Sequence, residues 1–339
     1  MGRLLLHAPN VHVGGGFVLL KDILSVPYSG QLWANLDMRA STLLELPAGA
    51  EYYFVRPSLV DRVKAEFRLY RTANSDDIVF CFHGMPPLLP ARGRVIVFQQ
   101  NRLYLGLDSL SNFSTRTRIR LACERFVCRL FKKRAAEYIV QTPSMQSEVI
   151  AWHGGNPVVR VIPFMKPASV KSAASTAEDP VDFVYVADGE AHKNHRALIS
   201  AWILLAQEGI YPSLGLTLPD RSMSLWQEFE PKIAMHRLRI VNFGAMSHEA
   251  ILALYCSAQA LVFPSITESF GLPLLEAAQA GLPIIASELD YVRDVCEPCE
   301  TFNPHSSRSI ARAIKRFLNM PGDRLRIRTA AEFLDEIAS

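Results

Sequence analysis

Short runs of β-branched and apolar residues alternate along this chain with longer segments whose apolar positions recur at helical spacing. That is the pattern of a parallel sheet layered by helices. In the first half it predicts strands near residues 3–8, 77–82, 94–99, 137–141 and 158–162, and helices near 17–25, 59–71, 115–134 and 144–152. The stretch KPASVKSAASTAEDP (166–180) has little apolar bulk and no period, and reads as a linker. The pattern then restarts with strands near 182–187, 214–218, 238–242, 260–263 and 283–286, and helices near 195–207, 247–257, 272–280, 307–318 and 323–337. The expected organisation is therefore α/β: one open domain over 1–165, a linker over 166–180, a second domain over 181–320 and a short C-terminal helix in 321–339. In open α/β sheets ligands bind outside the carboxyl ends of the strands, so the chemistry is sought in the loops that leave those ends.

Composition supports two folded domains: 339 residues, 49% apolar and 20% charged, are enough for two cores. The net charge of +3 conceals an asymmetry. Residues 1–165 carry +8 and residues 166–339 carry −5, which gives the halves different partners and the first an anionic one. Cysteines fall at 81, 123, 128, 256, 296 and 299, with one C-x-x-C pair and no second pair to complete a zinc site. They read as reduced thiols of a cytoplasmic protein. The opening apolar run is too short for a signal peptide, and no 18-residue apolar stretch occurs, so any membrane contact is expected to be peripheral, on the inner face of the cell membrane.

The most informative segment is LVFPSITESFGLPLLEAAQAGLPIIAS (261–287). A strand ends at Pro264, and Ser265 opens a hydroxyl-bearing loop. Gly271 and Pro273 bracket a helix start, so the backbone N–H groups of Phe270, Gly271 and Leu272 would face an anion. Glu268 on the loop and Glu276 on the first turn of the helix would project into one cleft. Taken singly, Glu276 equally fits a helix-dipole partner and Glu268 a solvated charge. Together, the segment resembles the donor-binding block of family 4 glycosyltransferases, two-domain enzymes of the GT-B fold. The resemblance implies two Rossmann-like domains with a cleft between them, retention of anomeric configuration and no metal or other cofactor. It assigns Glu268 to the transferred sugar and Glu276 to the ribose of the nucleotide. The absence of any Asp-x-Asp pair agrees with metal independence.

In FVYVADGEAHKNHRALISAW (183–202), Asn194 is expected to cap a helix, with His192 and Lys193 just before it. A cation is disfavoured at a helix N-terminus unless an anion shares the site, which favours a functional Lys193 over a solvated one. The resemblance places Lys193 on the donor diphosphate. The family's usual Arg five positions earlier is here Asp188; His192 and Arg221 are the candidate substitutes.

In the first half Gly14, Gly15 and Gly16 follow the first strand, where small residues let amides approach a phosphate, although the triplet equally fits a tight turn. The spacing is not G-x-G-x-x-G, so a dinucleotide site fits poorly and an oxidoreductase is the least favoured class. Many family members place a His after the strand that here ends in Gln99-Gln100-Asn101-Arg102. Asn101, and His83 from the preceding loop, are the candidate polar residues of the cleft.

Residues 115–134 carry eight Lys or Arg and one acid. Ile119, Ala122, Phe126, Leu130 and Phe131 share roughly one helical face. This reads as a basic amphipathic helix docking on anionic lipid or, equally, as a helix with its apolar side in the core. Nucleic acid is not expected, since no recognition motif accompanies the charge. The expected activity is transfer of a hexose from a GDP- or UDP-sugar to a glycan or lipid-linked glycan, in cell-surface polysaccharide or O-antigen assembly. A catalytically impaired nucleotide-sugar-binding subunit is the alternative.

Overall fold

The computed structural model describes residues 2–26, 28, 30–107, 110, 113, 115–165 and 181–320. The expected linker (166–180) and C-terminal helix (321–339) lie outside the described residues.

The first sheet is built from β1 (Leu4–Ala8), α1 (Gly14–Ser25), β2 (Leu32–Asp37), β3 (Glu51–Val55), α2 (Leu59–Thr72), β4 (Ile78–Cys81), β5 (Arg94–Phe98), α3 (Thr115–Phe131), β6 (Glu137–Val140), α4 (Pro143–His153) and β7 (Val159–Val161). Its order is β3-β2-β1-β4-β5-β6-β7 and every pairing is parallel. A parallel sheet is covered on both faces, which is why β1 reads as a nearly unbroken apolar run. Leu5 joins a cluster with Leu69, Leu121 and Val149 of α2, α3 and α4, while Leu6 and Ala8 join Leu19, Leu20 and Leu24 of α1 on the opposite face.

The second sheet follows the same plan with β8 (Phe183–Tyr185), α5 (His195–Gln207), β9 (Leu214–Leu216), α6 (Met223–His236), β10 (Ile240–Asn242), α7 (His248–Ser257), β11 (Ala260–Phe263), α8 (Leu272–Gln279), β12 (Ile284–Ser287), α9 (Asp290–Arg293), β13 (Glu300–Phe302) and α10 (Ser307–Phe317). Its order is β10-β9-β8-β11-β12-β13, again all parallel. Two Rossmann-like sheets in one chain agree with the two-domain architecture that the resemblance implies.

The structure adds elements that periodicity did not predict. β2 was hidden because Asn35 and Asp37 interrupt its apolar run; both are fully buried and hydrogen-bonded. β3 is largely exposed, and α6 contains Pro231 inside a helix. The largest difference concerns α3. Its core-facing residues are Leu121 and Cys128, whereas Ile119, Phe126 and Leu130 are 62, 67 and 59% exposed. The reading that puts the apolar stripe of this helix in the domain core is thereby corrected: the stripe faces outward.

Candidate functional site

Each sheet reverses its strand order once, between β1 and β4 in the first domain and between β8 and β11 in the second. Loops that leave neighbouring strands in opposite directions open a crevice there. In the second domain those loops are 186–194, which carries Lys193, and 264–271, which carries Glu268. The fold brings these two residues together although 75 positions separate them: Lys193 Nζ donates to Glu268 Oε1 at 2.7 Å. Ser265 Oγ donates its one proton to the same carboxylate oxygen at 2.6 Å, which fixes Glu268, and lies 3.2 Å from the carbonyl of His192 on the other loop. Burial works against the charge of Lys193, but Glu268, Asp188 and Glu190 outweigh it and raise its pKa.

Asn194 sits at the N-cap position of α5, but its side chain does not cap. The residue takes the left-handed conformation (φ 61°), and Nδ2 donates to the carbonyls of Pro264 and Pro304 at 3.1 and 2.8 Å. Its side-chain donors are therefore spent on holding the Lys193 loop against the Glu268 loop. His192 receives Ile266 N on its carbonyl at 2.9 Å and lines the cleft beside Lys193.

The Phe270-Gly271-Leu272 turn differs from expectation in what its side chains do. Phe270 and Leu272 are buried in the apolar cluster of the first domain, with Leu6, Leu19 and Phe98. Ser269 Oγ donates to Gln100 O across the boundary at 2.7 Å. Gly271 adopts φ +74°, a conformation that suits glycine, and starts α8 with Pro273 in its first turn. Gly15 and Gly16 belong to the first turn of α1 rather than to a preceding loop. A Cβ on Gly15 would stand 2.9 Å from Leu272 Cδ1 and one on Gly16 2.8 Å from Gln100 Oε1. Gly15 thus lets the α1 N-terminus meet the second domain's turn, while Gly16 makes room for Gln100 of its own domain.

Glu276 lies one turn further into α8 than the sequence reading placed it and is mostly buried. Burial pushes its carboxyl up to about 7, opposed by the Tyr255 hydroxyl at 3.4 Å; His248 Nδ1 lies 3.6 Å away. Asp188, standing where an Arg was expected, accepts from Arg221 Nη2 at 3.1 Å, so Arg221 does reach this loop.

In the first domain Asn101 Oδ1 accepts from Leu103 N at 3.1 Å, and the residue lines a cavity with Lys193. His83 is buried and does not line that cavity. Its Nδ1 faces His7 O at 3.1 Å, and burial together with His7 lowers its pKa to about 3, so it stays neutral. Among the described residues His7, Glu66 and His83 are the group whose metal-capable atoms approach one another. Arg68 donates to Asn35 Oδ1, which turns the Asn35 amide nitrogen toward His7 Nδ1 and Ala65 O. The proton of His7 therefore lies on Nε2, directed at Glu66, and the lone pair that a metal needs is occupied.

Sequence reasoning missed Arg102, whose guanidinium contacts Glu148 at 2.8 Å and Thr267 of the other domain. It also missed Asp294, which accepts from Ser144 N at the start of α4 at 3.0 Å. Neither carries a local motif; each is defined by a contact across the boundary.

With the two switch-point loops, the Lys193–Glu268 pair and the glycine turn in place, the comparisons can be stated. Residues 169–332 match the family described as Glycosyl transferases group 1. The match spans 164 of the 339 residues, just under half of the chain, and includes Lys193, Glu268 and Glu276. Among curated proteins, the serotype-specific mannosyltransferase WbdA of Escherichia coli is 30% identical over 133 residues, 38% of this chain and 16% of its own length. The O-antigen chain mannosyltransferase RfbU of Salmonella typhimurium is 34% identical over 106 residues, 30% of this chain and 29% of its own. The chain thus spans less than a third of these two relatives. Among solved structures, Anabaena HepE, in complex with UDP and glucose, superposes with a TM-score of 0.69 at 20% identity over 94% of this chain and 90% of that one. The apo form of the lipopolysaccharide outer core galactosyltransferase WaaB does so at 0.60 and 16%, with the same coverage. The GT-B fold thus extends over both sheets, while the family match lies in the second half.

Proposed function

We propose that this chain is a retaining, metal-independent and cofactor-independent glycosyltransferase of family 4. It moves a hexose, mannose being favoured by the mannosyltransferase relatives, from a GDP- or UDP-sugar to a hydroxyl of a glycan or lipid-linked glycan in cell-surface polysaccharide or O-antigen assembly. The observation that carries the reading is the Lys193–Glu268 pair at the switch point of the segment that matches the group 1 family. A diphosphate entering the cleft offers Lys193 a doubly charged partner in place of one carboxylate, and Glu268 is released to accept hydroxyl hydrogen bonds from the sugar. Lys193 then neutralises charge developing on the leaving nucleotide, aided by the N–H groups at the start of α8. The acceptor hydroxyl attacks from the leaving-group side and gives its proton to a phosphate oxygen, while Glu268 orients the sugar.

Lys193→Ala and Glu268→Ala should each lower transfer by about 100-fold or more with melting temperature retained, the scale of losing one preorganised charge contact. Full activity in both variants would refute the assignment. A thermal-shift screen against UDP-, GDP-, ADP- and CDP-sugars identifies the donor, because a ligand of the native state alone raises its apparent stability. Asp188 supports a second reading, a nucleotide-sugar-binding subunit without turnover. Donor binding with no transfer or hydrolysis across a broad acceptor panel would favour it.

A further inference from the structure

Glu268 belongs to the second domain, but the chain on either side of it is held by the first. Arg102 reaches across from the loop after β5, and its guanidinium donates to Thr267 Oγ1, the residue just before the carboxylate. Ser269, the residue just after it, donates through Oγ to the Gln100 carbonyl at 2.7 Å. Both first-domain partners come from one short loop, 99–103, and that loop is fixed along its length. Gln99 Nε2 donates to Asn101 O at 2.9 Å, Gln100 Nε2 to Phe82 O, and Leu103 N to Asn101 Oδ1 at 3.1 Å. Arg125 Nε of α3 donates to Leu103 O at 2.8 Å, and Arg102 Nε lies 2.8 Å from both oxygens of Glu148 on α4. A planar guanidinium directs separate N–H groups at Glu148 and at Thr267, so Arg102 is a strut between α4 and the second domain.

The carboxylate itself is held from its own domain. Lys193 and Ser265 both donate to Oε1, and among the described residues no donor reaches Oε2. Oε2 is therefore the oxygen left to a ligand, and its direction depends on the backbone that Thr267 and Ser269 pin. Arg102, Glu148 and Glu268 line one cavity of about 530 Å³ between the domains, within the roughly 300–1,000 Å³ of ligand pockets. Thr267 is buried, so its hydroxyl meets little water if Arg102 leaves it, and the loop has reason to shift. A shift of about 1 Å in a positioned group can cost on the order of 100-fold in rate.

We infer that Arg102 is a positioning residue for Glu268: acting through Thr267, with Glu148 behind it, it aims the carboxylate of one domain from the other. The inference rests on the proposed transferase reading, since it is that reading which gives Glu268 the sugar to hold. Two other roles leave different marks. A contact that merely joins the domains would weaken nucleotide and sugar nucleotide together. An Arg102 that touched the sugar itself would add its effect to that of Glu268.

The test measures dissociation constants of the full chain by calorimetry, for GDP against GDP-mannose and for UDP against UDP-glucose. In each pair the ratio isolates what the sugar contributes. Glu268→Ala should lower that ratio about tenfold or more, the scale of a hydrogen bond to a charged group. Arg102→Ala should lower it about fivefold or more and leave the affinity for GDP or UDP within about twofold. Thr267→Val, which keeps the shape and removes the acceptor, should do the same, whereas Thr267→Ser, which keeps the hydroxyl, should stay within about twofold of the wild type. Arg102→Ala placed on Glu268→Ala should add less than about twofold, because the strut acts through that carboxylate. Equal losses for nucleotide and sugar nucleotide in Arg102→Ala, additive effects in the double variant, or a wild-type ratio in Thr267→Val would each overturn the inference. A wild type that binds neither pair, or whose ratio Glu268→Ala leaves unchanged, counts against the transferase reading. A ratio that falls in Glu268→Ala and not in Arg102→Ala counts against the strut alone.

Discussion

Glu276 carries a carboxyl that the fold prefers to keep protonated, with a pKa of about 7 against the usual 4.5. The folded chain therefore holds a proton that the unfolded chain has lost between those values. Stability from this group is complete below pH 4.5, declines as pH rises and is gone above 7, a change of at most about 3 kcal/mol. Urea melts at pH 5 and pH 8 should show the decline in the wild type and little of it in Glu276→Gln. If Glu276 holds the ribose, donor binding runs the other way and strengthens as pH climbs through 7, because only the ionised group accepts two hydroxyls at once. Donor affinity that is flat across pH 6 to 8 would contradict that role. Asn194 gives a second test at this scale. Asn194→Gly keeps the left-handed backbone but loses two hydrogen bonds, while Asn194→Ala loses both, so Ala should cost about 1 kcal/mol more than Gly in denaturant melts. Equal costs would show that the backbone conformation contributes nothing.

At the scale of elements, the contact between the start of α1 and the start of α8 decides how the domains meet. Gly15→Val would force bulk into the space of Leu272, the side chain that the second domain seats in the first domain's apolar cluster. It should weaken donor binding about tenfold or more while leaving the first domain's melting transition in place, and unchanged donor affinity would show that this contact is not needed. The same contact marks how far the sequence was legible. Alternating strands and helices were readable because buried parallel strands are continuous apolar runs, and the meeting of Lys193 with Glu268 because each sits in a dense motif on a loop that follows a strand. What Phe270 and Leu272 do was not readable: a large apolar residue in a phosphate-facing turn and one plugged into another domain have the same local sequence. β2 was lost for a related reason, since Asn35 and Asp37 are satisfied by Ala65, Arg68 and Arg39, partners that only the fold supplies.

At the scale of the whole molecule, the charge asymmetry acquires a geometry. α2 and α3 cover the same face of the first sheet, as Leu69 and Leu121 show by sharing one cluster. Both helices leave large apolar side chains in solvent: Leu59, Val60, Val63 and Phe67 on α2, and Ile119, Phe126 and Leu130 on α3. Arg116, Arg118, Arg129 and Lys133 are exposed around the second group. Exposed apolar groups ringed by cations match an anionic bilayer, in which each Lys or Arg near the surface contributes about 1 kcal/mol. Among the described residues no helix is long and apolar enough to cross a membrane, so the contact proposed is a peripheral one. The opposite charge of residues 166–339, net −5, would be repelled by the same surface, so docking is expected through the basic half. Flotation with vesicles containing anionic phosphatidylglycerol should retain the protein at low salt and release most of it near 1 M salt, where the screening length falls to about 3 Å. Phe126→Asp combined with Leu130→Asp changes two exposed positions, so it should abolish flotation without lowering the melting temperature. Absence of flotation at low salt, or flotation equally strong on neutral phosphatidylcholine, would remove charge as the reason the basic half faces a membrane.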